Sequence, residues 1–155
     1  METITEWPVG TLDADIELAR IDDPEAAASL WDRCGGRSSL ETAVPAREIV
    51  ARERGTGRVI GVAEFIRTFP PEDALATLCV DPAFRRMGIG GMLLEAIIAS
   101  AASQGKRNLC GFVSEANLAA WKLLESSRAP ARVYETDGSY YVELETMSHR
   151  SLELR

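Results

Sequence analysis

Two arginines and three glycines fall within seven residues, Arg85-Arg86-Met87-Gly88-Ile89-Gly90-Gly91, between an apolar run ending at Val80 and another opening at Met92-Leu93-Leu94. Backbone N–H groups at a helix start have no acceptor inside the helix, and together with the positive end of the helix dipole they bind anions. Glycine lets a phosphate come close to that backbone, and arginine adds positive charge with donors matched to phosphate oxygens. The chemistry these residue types suit is the holding of a pyrophosphate. A tight strand-to-helix turn with no ligand would use the same glycines, so the loop by itself leaves both readings open. The GxxxxGK[ST] order of nucleoside-triphosphate sites is absent, and so is the GxGxxG order of dinucleotide folds.

The loop needs a strand before it and a helix after it. Ala74 to Val80 is short and almost wholly apolar, which predicts a strand buried on both faces. From Gly88 to Gln104, Ile89, Leu93, Ala96, Ile97 and Ala101 recur on one helical face, and Gly105 is placed to end that helix. Upstream, a first strand is predicted over about Asp15 to Ile21, and Asp22-Asp23-Pro24-Glu25 then starts a helix carrying Ala26, Ala27, Leu30 and Trp31. Strands over Glu48 to Arg54 and Arg58 to Arg67 flank the Gly55-Thr56-Gly57 turn. Downstream come a buried strand from Asn108 to Val113, and a helix after Ser114-Glu115-Ala116-Asn117 packing through Leu118, Trp121 and Leu123 or Leu124. A hairpin follows, turning at Asp137-Gly138. The order β α β β β α β α β β predicts an α/β fold, with a mixed central sheet of about six or seven strands flanked by helices.

A chain of 155 residues with 46% hydrophobic and 26% charged residues is expected to form a single domain over residues 1–155, with a core that needs no staples. Its net charge of −7 argues against a general nucleic-acid or anionic-membrane binder, because both use basic fields. Three cysteines without CxxC spacing suit a reducing cytoplasm, and one histidine, His149, with no nearby second ligand points away from a metal site. The N-terminus lacks a signal-peptide core, and no apolar run approaches the ~18 residues of a membrane span. A cytoplasmic protein with no membrane partner is expected.

Arg85 to Gly90, preceded by Leu78-Cys79-Val80-Asp81-Pro82 and followed by an apolar helix, resembles the acyl-CoA pyrophosphate motif of the GNAT superfamily of N-acyltransferases. Asn117 with Ala120, on a helix after the next strand, is similar to that family's second motif, and the element order fits the GNAT fold over almost the whole chain. The resemblance implies acetyl-CoA as co-substrate, with no metal, and a small-molecule amine or a protein lysine as acceptor. It gives the backbone of Leu78, Cys79 and Val80 to the pantetheine and the thioester carbonyl. Arg85, Arg86, Met87, Gly88, Ile89, Gly90 and Gly91 would hold the pyrophosphate. Asn117 would face the pantetheine arm, while the residue-level alternative for Asn117 is a helix N-cap. Exposed sheet edges in such folds make a homodimer an expectation too. A weaker similarity, Gly111 to Asn117 with the hairpin after it, is to bacterial protein-lysine acetyltransferase domains of the Pat type.

The pattern breaks where protons move. Many members carry a tyrosine seven residues after the asparagine, to protonate the leaving thiolate; here the position is Leu124, which leaves Tyr134, Tyr140 or Tyr141 of the hairpin as substitutes. Members often place a glutamate in the strand before the loop, but Leu75-Ala76-Thr77-Leu78 has none. Asp73 and Glu72, at the start of that strand, are the expected catalytic carboxylates, and Glu64 lies on the neighbouring strand. Cys79 has no histidine or lysine nearby in sequence and reads as a packing residue, and Cys110 is read the same way. The missing groups also motivate an alternative, a non-catalytic acyl-CoA-binding module.

Overall fold

The computed structural model describes residues 16–20, 23–34, 47–68, 70–84 and 88–146. In chain order these form β1 (Ile16–Arg20), α1 (Pro24–Arg33), β2 (Arg47–Glu53), β3 (Val59–Arg67), β4 (Asp73–Val80), a 3₁₀ turn (Pro82–Phe84), α2 (Ile89–Ser103), β5 (Asn108–Ser114), α3 (Leu118–Ser126), β6 (Ala131–Thr136) and β7 (Ser139–Glu145). The strands make one seven-stranded mixed sheet in the order β1-β2-β3-β4-β5-β7-β6. The α/β order predicted from the sequence is the observed one. Arg85, Arg86 and Met87 lie outside the described residues, as does the segment 35–46. The chain groups into two compact units, Met1–Ile66 with Thr77–Ile97, and Arg67–Ala76 with Ile98–Arg155. No helix among the described residues is long and apolar enough to cross a membrane.

In the first unit β1, β2 and β3 are antiparallel neighbours, with Ala19 opposite Val50 and Val50 opposite Val62. α1 starts where the sequence indicates. The Asp23 side chain accepts the Ala26 N–H at 3.2 Å, Pro24 opens the helix, and Glu25 meets the positive end of its dipole. The buried face of α1, Leu30 and Trp31, packs on Ala19, Val50, Val62 and Cys79. Alternate strand residues share a face, so this cluster fixes which side of β2, β3 and β4 the helix covers.

In the second unit β4 pairs in parallel with β5 over Asp73–Leu75 and Asn108–Cys110. β5 runs antiparallel to β7, and β7 to β6 across the two-residue Asp137-Gly138 loop, where Gly138 adopts φ +77°. α2 stops at a left-handed glycine, Gly105 at φ +78°, with N–H bonds from Gly105 to Ala102 O and from Lys106 to Ala101 O, both 3.0 Å.

Three packing expectations need correction. β4 and β5 are not buried on both faces: in β4 only Ala74 and Cys79 are buried, and in β5 Phe112 is 59% exposed. An apolar run alone does not say how much of each face the neighbours cover. α3 has no buried residue, and Leu118 at its start is 69% exposed, so its apolar spacing does not mark a core face.

Candidate acyl-CoA site

At the carboxyl end of β4 the chain leaves the sheet at Asp81, and this residue, given no role by sequence reasoning, organises the exit. Its N–H donates to Ile60 O at 2.8 Å, its carboxylate accepts the Ala83 N–H at 2.9 Å, and its carbonyl accepts the Phe84 N–H at 2.8 Å. Arg33 of α1 and Arg58, just before β3, both reach its Oδ2, at 3.2 and 3.4 Å. Asp81 is 3% exposed. The Ala83 N–H foremost, with Arg33 and Arg58 behind it, holds its carboxyl below the usual carboxylate range, against the opposing effect of burial. The guanidinium of Arg58 also lies over the Phe84 ring, 5.4 Å from its centre. A readable signal did exist, since Asp-Pro after a strand is a turn and capping pair.

α2 follows Gly88, whose φ of +81° is open to glycine and costly to most other residues. Its first intrahelical bond runs from the Met92 N–H to Gly88 O, at 3.2 Å. The N–H groups of Ile89, Gly90 and Gly91 therefore begin the helix with no acceptor inside it. A Cβ added to Gly91 would meet nothing within 4 Å, so the backbone there is open to approach. This donor set fits a pyrophosphate: three N–H groups without a helical acceptor, no side chain at Gly90 or Gly91, and the positive end of a 15-residue helix. The first turn is held from below by Gly61 of β3, where a Cβ would stand 2.7 Å from Leu93 Cδ1 and 3.1 Å from Ile89 Cγ2. Gly61 is a second residue that sequence reasoning missed; a glycine in mid-strand marks such a close approach.

Leu78, Cys79 and Val80 occupy the last three positions of β4. Cys79 is buried, with its Sγ 4.0 Å from Leu30 O, and the Cys34 thiol donates to Val80 O at 3.6 Å. All three cysteines are free thiols. Also in this unit, Thr77 of β4 donates its hydroxyl to Glu64 of β3, with Oγ1 3.5 Å from Oε1. Glu64 is fully buried.

In the second unit Glu72 is exposed, and its carbonyl accepts the Arg107 N–H at 2.6 Å. Asp73 is half-buried and accepts from Asn108 Nδ2 at 2.9 Å. Ligand atoms of Asp73, Cys110 and Glu143 lie within 4.8 Å of one another. The sequence pointed away from a metal on its single histidine, and could not show this trio because β4, β5 and β7 bring it together from distant positions. Burial pushes the Cys110 thiol up, with the Asp73 and Glu143 charges adding to the rise and a hydrogen bond to Tyr141 opposing it. Burial, followed by Cys110, pushes the Tyr141 hydroxyl up as well. The three hairpin tyrosines stand in edge-to-face aromatic contacts, Tyr141 with Phe112 and Tyr134, and Tyr140 with Trp121. Asn117 caps α3, its Oδ1 accepting the Ala120 N–H at 3.1 Å.

A family model described as "Acetyltransferase (GNAT) family" matches residues 12–128. Comparison with curated protein sequences gave no match. Among solved structures, an N-acetyltransferase from Staphylococcus aureus Mu50 superposes with a TM-score of 0.66 at 20% identity, covering 86% of this chain and 99% of that one. The GNAT domain of S. lividans PAT gives 0.68 at 21% identity, covering 84% and 90%. Diaminobutyrate acetyltransferase EctA from Paenibacillus lautus, in complex with L-2,4-diaminobutyric acid and coenzyme A, gives 0.68 at 19% identity, covering 84% and 95%.

Proposed function

This chain belongs to the acetyltransferase (GNAT) family, and we propose that it moves an acetyl group from acetyl-CoA to a primary amine by direct attack. The observation that carries the reading is the glycine-led start of α2, where three N–H groups without helical acceptors follow a strand that ends at a fixed aspartate. In this reading Ile89, Gly90 and Gly91 donate to the pyrophosphate of acetyl-CoA, with Arg85 and Arg86 adding charge. The backbone of Leu78, Cys79 and Val80 pairs with the pantetheine and polarises the thioester carbonyl, and Asn117 is assigned to the pantetheine arm by family resemblance. Acetyl-CoA supplies the activated acyl group; the protein supplies position and charge.

An alkyl ammonium with a pKa near 10.4 is neutral only about once in a few thousand molecules at pH 7, so a proton acceptor, direct or through water, is useful. Asp73 and Glu72 are the carboxylates expected from the sequence, and Glu64 is considered below. The panel of primary amines to assay is L-2,4-diaminobutyrate, which the EctA structure holds, with L-lysine, spermidine and a lysine peptide.

The experiment pairs calorimetry with acetyl-CoA and a CoA-release assay over that panel, on wild type and Arg86→Glu. We expect wild type to bind acetyl-CoA and release CoA with at least one amine, and Arg86→Glu to bind more weakly by tenfold or more, the worth of one charge-assisted contact of about 1.5–3 kcal/mol. No heat from either protein refutes the pyrophosphate site. Binding without turnover on any amine refutes the transfer.

A further inference from the structure

Glu64 is fully buried in mid-strand, between Ala63 and Phe65, in a strand whose residues from Val59 to Phe65 are otherwise all apolar. Withdrawing a carboxylate from water costs several kcal/mol before any partner repays it, and a valine would fill a strand interior at no such cost. The position is also patterned. Glu64 stands directly opposite Glu48 of β2, and the Thr77 hydroxyl of β4 reaches its Oε1 at 3.5 Å. By strand alternation the three residues share the face of Val50, Val62 and Cys79, so they form a row one step along the strands from the cluster beneath α1. Arg47, next to Glu48, pairs with Phe65 and so belongs to the other face.

Thr77 immediately precedes Leu78, the first of the three residues whose backbone is assigned to the thioester arm above. Asp73 and Glu72 are four and five residues further back.

We propose that Glu64, acting through the Thr77 hydroxyl, accepts the proton that the acceptor ammonium loses before it attacks. This rests on the acetyl-transfer reading. Thr77 is the group that meets the substrate, and Glu64 is the residue that positions and drives it. The ammonium gives one proton to Thr77 Oγ1 as the hydroxyl proton passes to Glu64 Oε1. The amine lone pair then forms the C–N bond at the thioester carbonyl, the C–S bond breaks, and the thiolate takes the second nitrogen proton, directly or through water. Glu64 returns its proton to solvent, leaving amide and CoA.

The test measures kcat and KM from pH 6 to 10 with the best amine of the panel, for wild type, Glu64→Gln, Thr77→Val, Thr77→Ser and Asp73→Asn, with acetyl-CoA affinity by calorimetry and folding by thermal denaturation. Loss of a general base is worth roughly 10²- to 10⁴-fold. We expect that loss in kcat/KM at pH 7 for Glu64→Gln and Thr77→Val, with acetyl-CoA affinity within threefold of wild type. The deficit should shrink toward pH 10, where free amine no longer needs a base. Thr77→Ser should recover to within a few fold. If Glu64→Gln fails to fold, the Thr77 pair carries the test. A deficit of equal size at every pH, a Glu64→Gln rate within threefold of wild type, or a loss confined to Asp73→Asn overturns the proposal alone. No wild-type turnover on any amine overturns the transfer reading and the proposal with it.

Discussion

Replacing Gly61 with alanine tests how the first turn of α2 is held. The new Cβ would stand 2.7 Å from Leu93 Cδ1 and 3.1 Å from Ile89 Cγ2, short of the ~3.5 Å optimum between carbons by about 0.8 and 0.4 Å. The Leu93 methyl is the far end of a flexible side chain and can rotate away, whereas Ile89 is β-branched and stiff, so its strain passes to the helix backbone. Overpacking costs about 1–3 kcal/mol, and the smaller freedom of alanine in the unfolded chain offsets about 0.4–1 of it. At the middle of those ranges the net is a destabilisation of about 1.3 kcal/mol, or roughly 3–5 °C in Tm for a chain of this length. If the first turn moves by a few tenths of an ångström, the N–H bonds to pyrophosphate lengthen. Partial loss of one such bond, about 0.7–1.4 kcal/mol, weakens acetyl-CoA binding roughly three- to tenfold. Urea denaturation and calorimetry measure both effects. Gly91→Ala is the control: its Cβ meets nothing within 4 Å, and alanine in a helix gains about 0.5–1 kcal/mol over glycine, so its stability should hold or rise. A Gly61→Ala protein as stable as wild type, with unchanged acetyl-CoA affinity, would refute the reasoning.

Asp81→Asn should cost about 1–3 kcal/mol at pH 7, mostly the charged bond to the Ala83 N–H, because Arg33 and Arg58 are 39% and 52% exposed and their pairing is screened by solvent. The folded-state pKa of Asp81 is depressed, so its contribution is full above the unfolded value near 3.9 and disappears as pH falls through the folded value. The difference between the two proteins in urea denaturation should therefore be flat from pH 7 to 5 and shrink below about pH 4; a difference unchanged at pH 3 contradicts the assignment. Asn117→Ala should lose about 1 kcal/mol as a helix cap. Asn117→Asp keeps the cap and removes the amide donor, so it should hold stability while weakening acetyl-CoA binding about fivefold; unchanged affinity would make the residue a cap alone.

The fold was legible because its signals are local. Asp23-Pro24, Asp137-Gly138 and Gly105 each fix an element end through their own backbone chemistry, and the structure puts the boundaries there. The glycine-led start of α2 was legible for the same reason, since Gly88, Gly90 and Gly91 are near neighbours in the sequence. What escaped the sequence is what the sheet assembles. Glu64 and Thr77 lie 13 residues apart and meet only because β3 and β4 are neighbours. Asp81 gathers arginines from α1 and from the residue before β3. The Asp73, Cys110 and Glu143 trio spans three strands. Exposure was the other blind spot: Leu118 and Phe112 carry core-like side chains in periodic positions yet face solvent. Periodicity reports which residues share a face and says nothing of what covers that face.

The central claim is that the backbone at the start of α2 holds the pyrophosphate of acetyl-CoA, and amide chemical shifts read that backbone directly. In a titration of ¹⁵N-labelled protein with acetyl-CoA, the N–H resonances of Ile89, Gly90 and Gly91 should move downfield together, saturating at the affinity that calorimetry gives. Saturable binding that leaves those three amides unmoved would contradict the claim.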